Sequence, residues 1–287
     1  LTLSEQRRLA EQMTLKELAQ KVYDTRWQYT GSGERTYRTA ELFIDYVGNM
    51  KCAQASTEDL TDWREYLVQK GNKDSTIKRY LSVITTMLNE GRDLGVIGAF
   101  KAPKVTVVRD DPVFLTPEQE AELLEHLAKA NPVYADYASF LVQTGLRFSE
   151  ALHLSWMNVN AGDVYIEGAQ AKSRQGRRVP LTSAAQALLR ERGWPGNRLG
   201  RGPWESVDEA GFRSAWQAAR IAMGQSKDRL FTPHCLRHTC CSRLSQAGVA
   251  PRVIMEWMGH ADLKTTLRYM HIRQEQLNEA AEALEQL

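Results

Sequence analysis

Helical spacing of apolar residues fails between Gly98 and Asp111, where the chain carries Pro103, a run of valines and few helix signals, and Pro112 closes the stretch. A chain interrupted in this way folds as two bodies, one before the linker and one beginning near Val113. With 287 residues, 43% hydrophobic and 25% charged, it has the length for a substantial core in at least one of them. No stretch approaches the roughly 20 apolar residues that cross a bilayer, and the opening LTLSEQRRLAEQ lacks the layout of a signal peptide. The expectation is an intracellular protein with no membrane partner. Its four cysteines, Cys52, Cys235, Cys240 and Cys241, form no visible disulfide framework.

Two runs in the first part read as core-facing helices, with Leu60, Trp63 and Leu67 on one face and Ile77, Tyr80, Leu81, Ile84 and Leu88 on another. Ser56 or Thr57 can cap the first and Gly71 can end it; Asp74 or Ser75 can cap the second, and Gly95 follows its last turn. These signals set out a helical domain at 31–98. It is preceded by a segment 1–30, in which TLKELAQKVY reads as a helix, and followed by the linker 99–112.

In the second part, Thr116-Pro117-Glu118-Gln119 is a capping box with proline in the first turn. Helices are expected at 117–129, 133–144, 183–191, 208–222, 233–246, 251–258 and 263–270. Residues 163–181 break the pattern with two short β-prone runs around a basic, glycine-containing turn, expected as a small antiparallel hairpin. The fold class is therefore mainly α: an N-terminal helical domain, then a mixed, mostly helical domain with a small antiparallel β-sheet. The last segment, QEQLNEAAEALEQL at 274–287, is acidic and amphipathic, suited to docking on its own domain or on a neighbouring protomer. The net charge of +2 says little about nucleic acid, but its distribution does: 114–273 carries 20 basic against 15 acidic side chains.

Four segments concentrate residues suited to phosphate chemistry. In TGLRFSEALHLSW, Arg147 follows a glycine turn at a helix start, where its guanidinium fork either meets a phosphate or pairs with Glu150 at a surface. In AKSRQGRRVPL, Lys172 lies near a hairpin tip with the reach for proton donation or a phosphate contact, unless the run is only a solvated basic turn. In LFTPHCLRHTCCSRL, Thr232 and Pro233 start a helix that places His234 and Arg237 one turn apart; the free N–H groups there favour an anion, and Arg237 pushes the imidazole toward its neutral form. His234 and His238 at i and i+4 also admit a zinc reading, but the cysteines fall on other faces and no second cluster supplies ligands. In WMGHADLKTTLRYMH, Gly259 ends one helix, His260 sits in the turn, Asp262 can cap the next helix, and Tyr269 is the candidate nucleophile.

Taken together and in this order, the four segments resemble the tyrosine recombinases, the phage-integrase-type site-specific recombinases, over about residues 114–273. The family's Thr-Gly-Leu-Arg-x-Ser-Glu box is matched by 144–150, its hairpin lysine by Lys172, its His-x-x-Arg by His234 and Arg237, and its Gly-His box and nucleophile by Gly259, His260 and Tyr269. Asn158 stands where the family often has Asp. The helical region before the linker resembles the family's core-binding domain, which forms a clamp around duplex DNA with the catalytic domain, here 113–273. Residues 1–30 are too short for the arm-binding domain of many phage integrases, so such a domain is either absent or upstream of Leu1.

The resemblance implies a DNA strand transferase in phage or mobile-element integration and excision, acting in the bacterial cytoplasm or nucleoid. Tyr269 attacks a phosphodiester to give a 3′-phosphotyrosyl link and a free 5′-hydroxyl. Arg147 and Arg237 hold the non-bridging oxygens, His260 adds a hydrogen bond, Lys172 protonates the leaving oxygen, His234 assists proton transfer and Glu150 orients its surroundings. Arg174, Arg177, Lys78 and Arg79 are expected to contact DNA. Because bond energy is retained in the link, no cofactor is needed, and no metal has an obligatory role. The implied partners are double-stranded DNA, a homotetramer on two sites, and accessory DNA-bending proteins. A type IB topoisomerase-like nicking enzyme and a catalytically silent DNA-binding regulator are the competing readings.

Overall fold

The computed structural model describes residues 12–108, 111–168, 176–196 and 201–270; Lys172, Arg174 and the 274–287 segment lie outside them. The chain divides into two compact units, Leu1–Arg109 and Asp110–Leu287. Among the described residues no helix is long and apolar enough to cross a membrane.

In the first unit, helices α1 (Leu15–Thr25), α2 (Gly33–Val47), α3 (Thr57–Gln69) and α4 (Asp74–Asp93) share one core. α1 opens on a capping box made by Thr14 and Glu17, and α3 on one made by Ser56 and Asp59. α4 starts without a side-chain cap: Lys73 holds the capping position and Asp74 is already helical, so neither Asp74 nor Ser75 serves there. An amphipathic helix must bury its apolar face. Leu15, Leu18, Ala19 and Val22 of α1 do so in the core that holds Phe43, Leu60, Trp63 and Ile84, so from Leu15 onward the segment set apart at 1–30 packs with the helices of 31–98. A Cβ on Gly91 would stand 2.7 Å from the Ile97 side chain and 2.8 Å from that of Leu18; its absence lets the chain beyond α4 fold back onto the core. Residues 99–108 are neither helix nor strand, and Phe100 and Val105 rest on this unit.

The second unit begins with α5 (Pro117–Ala130), opened by the Thr116–Gln119 capping box, and α6 (Pro132–Thr144), capped by Asn131. Short α7 (Phe148–Leu152) follows, then the antiparallel pair β1 (Asp163–Ile166) and β2 (Arg177–Pro180), with Val164 opposite Val179 and Ile166 opposite Arg177. Helices α8 (Ser183–Glu191), α9 (Glu209–Ala222), α10 (His234–Gln246), α11 (Pro251–Met258) and α12 (Leu263–Leu267) follow among the described residues. Tyr137, Phe140, Trp204, Phe212 and Phe231 lie fully inside its core. α10 is covered on nearly every side, with Cys235, Leu236, Arg237, Thr239, Cys240, Cys241 and Ser242 all buried. α12 stops at Leu267, short of the expected 270; Tyr269 sits beyond it in a turn, its N–H donating to the Thr266 carbonyl at 3.0 Å.

Candidate active site

The last turn of α11 organises the site. A helix end leaves its final carbonyls without intrahelical donors, and the partial negative charge there attracts cations. Three successive carbonyls each accept from a different arginine. Arg177 on β2 donates its Nε–H to the Trp257 carbonyl at 3.2 Å, Arg237 on α10 donates from Nη2 to that of Met258, and Arg147 before α7 donates from Nη2 to that of Gly259 at 3.0 Å. Arg237 also donates from Nη1 to the Gly145 carbonyl at 2.6 Å. The indole N–H of Trp257 donates to the Thr144 carbonyl at 2.9 Å, which fixes α11 against the end of α6.

Glycine is required at both corners of this arrangement. Gly145 ends α6 at φ +65°, and Gly259 ends α11 at φ +63°. A Cβ on Gly259 would lie 2.9 Å from three atoms of the Arg177 guanidinium arm.

Glu150, fully buried, balances part of the charge. Its carboxylate accepts from Arg147 Nη1 at 2.5 Å and from Arg177 Nη2 at 2.7 Å, and it also takes the Arg147 backbone N–H at 2.9 Å. Burial alone would raise its pKa, but the hydrogen bond and charge of Arg177, then the contacts of Arg147, hold it down at about 2. Burial, with Arg147 and Arg177 adding repulsion, lowers Arg237 to about 10, so it remains a cation at neutral pH.

Tyr269 lies in a small cluster with Cys240, Cys241, Ile254 and Met258. Its hydroxyl and His238 Nδ1 form a short hydrogen bond, and its ring stacks on that of His260 with centroids 6.5 Å apart. Ser245 Oγ donates to the Tyr269 carbonyl at 2.8 Å. Burial pushes the phenol up to about 12, Cys241 adding to this and Arg237 opposing it. The His238 and His234 rings meet edge to face at 4.5 Å. Burial, then His234 and Arg237, pulls His238 down to about 3; burial, then Arg237, Arg147 and Arg177, pulls His260 down to about 4. Near pH 7 the pocket thus holds guanidinium groups in excess over carboxylate, beside neutral imidazoles and an un-ionised phenol, an arrangement that welcomes an anion.

Of the residues singled out in the sequence, Arg147, Glu150, His234, Arg237, His260 and Tyr269 belong to this connected set. Lys172 and Arg174 fall in sequence between β1 and β2, outside the described residues. Lys78 and Arg79 lie exposed on α4 of the first unit, the Arg79 guanidinium 5.0 Å above the Tyr80 ring. Arg177 needs correction: expected on DNA, its side chain is only 7% exposed, and its guanidinium is committed to Glu150 and the Trp257 carbonyl. The physical reason is strand alternation, which turns Arg177 to the same inward face as Val179. His238, which the sequence offers only as a metal ligand, is the residue that meets the Tyr269 hydroxyl. Its place next to Arg237 and one turn beyond His234 is the sequence signal for this role.

Comparison with known proteins agrees with this geometry. The phage integrase family pattern matches residues 113–276. The tyrosine recombinase XerC of Roseiflexus castenholzii is 35% identical over 83% of this chain and 82% of its own. Among solved structures, the integrase of the transposon Tn1549, in complex with a circular intermediate DNA, is similar over 95% of this chain and 99% of that one, with a TM-score of 0.74 at 20% identity. A lambda integrase tetramer bound to a Holliday junction is similar over 94% and 81%, with a TM-score of 0.73 at 15% identity. At these identities the two structures speak for the fold. The chain belongs to the phage integrase family, the tyrosine recombinases, enzymes that break and rejoin DNA.

Proposed function

We propose that this protein is a site-specific integrase of a phage or mobile element, and that the arginines gathered at the end of α11, with Tyr269 beside them, are its strand-transfer centre. The observation that carries this reading is the meeting of Arg147, Arg237, His260 and Tyr269, drawn from separate stretches of sequence, around one electropositive pocket.

Arg147 and Arg237 grip the non-bridging oxygens of the scissile phosphate and stabilise the charge that grows on the phosphorane, and His260 adds a hydrogen bond. The Tyr269 oxygen bonds to phosphorus as the bond to the 5′-oxygen breaks. The phenol proton leaves with the help of His234, and Lys172 protonates the departing oxygen. Raised to about 12, the free phenol is a poor nucleophile near pH 7, so cleavage waits until the bound phosphate and the cations around it reorganise the pocket. Glu150 and Arg177 act behind Arg147 as its support. In the reverse step the 5′-hydroxyl of a partner duplex attacks the phosphotyrosine, which requires several protomers on two sites. The lambda integrase tetramer on a Holliday junction supports such an assembly here. Lys78 and Arg79 of the first unit, together with Arg174, are the proposed backbone contacts, and the bacterial nucleoid is the place of action.

The test is a nicked suicide duplex carrying the element's attachment site. An adduct that survives denaturant and disappears in Tyr269→Phe is expected. No adduct on a verified site refutes the proposal, and an adduct that never yields recombinant product from two sites replaces it with a nicking and rejoining activity.

A further inference from the structure

We infer that His238 is a positioning residue for Tyr269: its imidazole holds the phenol hydroxyl inside the arginine pocket of its own subunit. The inference rests on Tyr269 being the nucleophile and adds how that nucleophile is kept in place.

The ring of Tyr269 is constrained on several sides. Its backbone is tied to Thr266 and to Ser245, one face lies along His260, and Cys240, Cys241, Ile254 and Met258 share its cluster. In such surroundings a hydroxyl without a partner is costly, and a phenol without an acceptor would turn toward water. His238 supplies the acceptor. Its ring centroid is 5.6 Å from that of Tyr269, with the planes tilted by 34°, and its Nδ1 meets the hydroxyl directly. A neutral imidazole protonated at Nε2 presents Nδ1 as a lone pair, so the hydroxyl donates.

The contact places the oxygen and does not ionise it. His238 is held far below, and the phenol above, the values at which a proton would pass between them. No bond is made or broken at His238, and the proton stays on oxygen until the phosphate arrives. His238 also follows Arg237 directly on α10. A single helical turn therefore carries the guanidinium that grips the phosphate, the imidazole that holds the nucleophile, and His234 at its start. Their relative placement is set by the helix rather than by a loop.

The experiment compares wild type, His238→Leu, His238→Asn and Tyr269→Phe. Asn keeps an acceptor near the δ position; Leu fills the space without one. In single-turnover cleavage at saturating DNA, His238→Leu is expected to fall about 100-fold, as misplaced reacting groups do, and His238→Asn to recover to within about fivefold of wild type, with DNA affinity unchanged in both. Wild-type cleavage by His238→Leu, equal losses in Leu and Asn, or a loss matched by weaker DNA binding overturns the inference. A second measurement needs no cleavage. With tyrosine labelled at Cζ, the carbon resonance missing from Tyr269→Phe identifies residue 269, and it is expected to move in His238→Leu toward the position of exposed tyrosines. A resonance that does not move overturns the inference even if cleavage falls. If wild type forms no adduct on a verified site, the proposed function fails, and the resonance still decides whether His238 holds the phenol.

Discussion

Replacing Glu150 by Gln keeps the shape of the side chain and removes the charge that faces Arg147 and Arg177. The folded carboxyl titrates at about 2 against an ordinary 4.5, and each unit is worth about 1.4 kcal/mol, so the ionised form contributes on the order of 3 kcal/mol near neutral pH. That agrees with the ~3–5 kcal/mol lost when one member of a buried ion pair is removed. The loss should sit toward the upper end for Arg177, at 7% exposed, and be softened for Arg147, which at 21% exposed retains some contact with water.

A depressed carboxyl adds stability above its unfolded pKa and gives it up as the pH falls through the folded one. The difference between wild type and Glu150→Gln should therefore be full above pH 4.5, shrink between 4.5 and about 2, and be roughly halved near pH 3. Urea unfolding of the second unit is readable through Trp156, Trp194, Trp204, Trp216 and Trp257, all of which it contains. In a thermal melt, a gap of about 3 kcal/mol at pH 7 corresponds to a midpoint shift of roughly 10 °C for a unit of this size. A gap equally large at pH 3 and pH 7 would assign the loss to packing rather than charge, and no gap at pH 7 would refute the argument outright.

Arg147→Ala and Arg237→Ala should each reduce single-turnover cleavage by about 100-fold or more, with DNA affinity in filter binding changing only a few-fold; equal losses would make both arginines mere backbone anchors. Gly145→Ala forces a Cβ into a left-handed position, 2.7 Å from Met258 Sδ, and should cost about 1–2 kcal/mol in denaturant unfolding while disturbing the carbonyl that holds Arg237. His238 and His260 are neutral in the fold at about 3 and about 4. The unfolded chain therefore takes up protons below pH 6.5 that the folded chain refuses, and stability should decline by about 1.4 kcal/mol per unit per histidine toward pH 4. Imidazole signals assigned to His238 and His260 that titrate near 6.5 in the folded protein would contradict this.

Much of the fold could be read beforehand because its punctuation is local. The Thr116 box, the proline after Asn131, and the glycines at 71, 95, 145 and 259 each act within a few residues of themselves. The same grammar marks the start of α1 in Thr14-x-x-Glu17, but a capping box says where a helix begins and not which core it joins, so the packing of α1 with α2–α4 is visible only in the structure. The site was legible as four motifs, since each supplies its residues at fixed spacing on one element. What spacing alone could not provide was burial. Arg177 looks like its exposed neighbour Arg178 until the strand register turns it inward. His238 gains its meaning from Tyr269, thirty-one positions away, through a contact that no local pattern encodes.

The anchors of Arg177, Arg237 and Arg147 on Trp257, Met258 and Gly259 are peptide oxygens, and a peptide oxygen has no side chain to lose. Substitution at the exposed positions of that helix, such as Arg252 and Val253, leaves all three tethers standing, whereas Trp257 and Gly259 hold the final turn in place. The corollary concerns the helix as one body: a displacement of its final turn unseats all three guanidinium groups together, because each is tied to a neighbouring oxygen of the same turn.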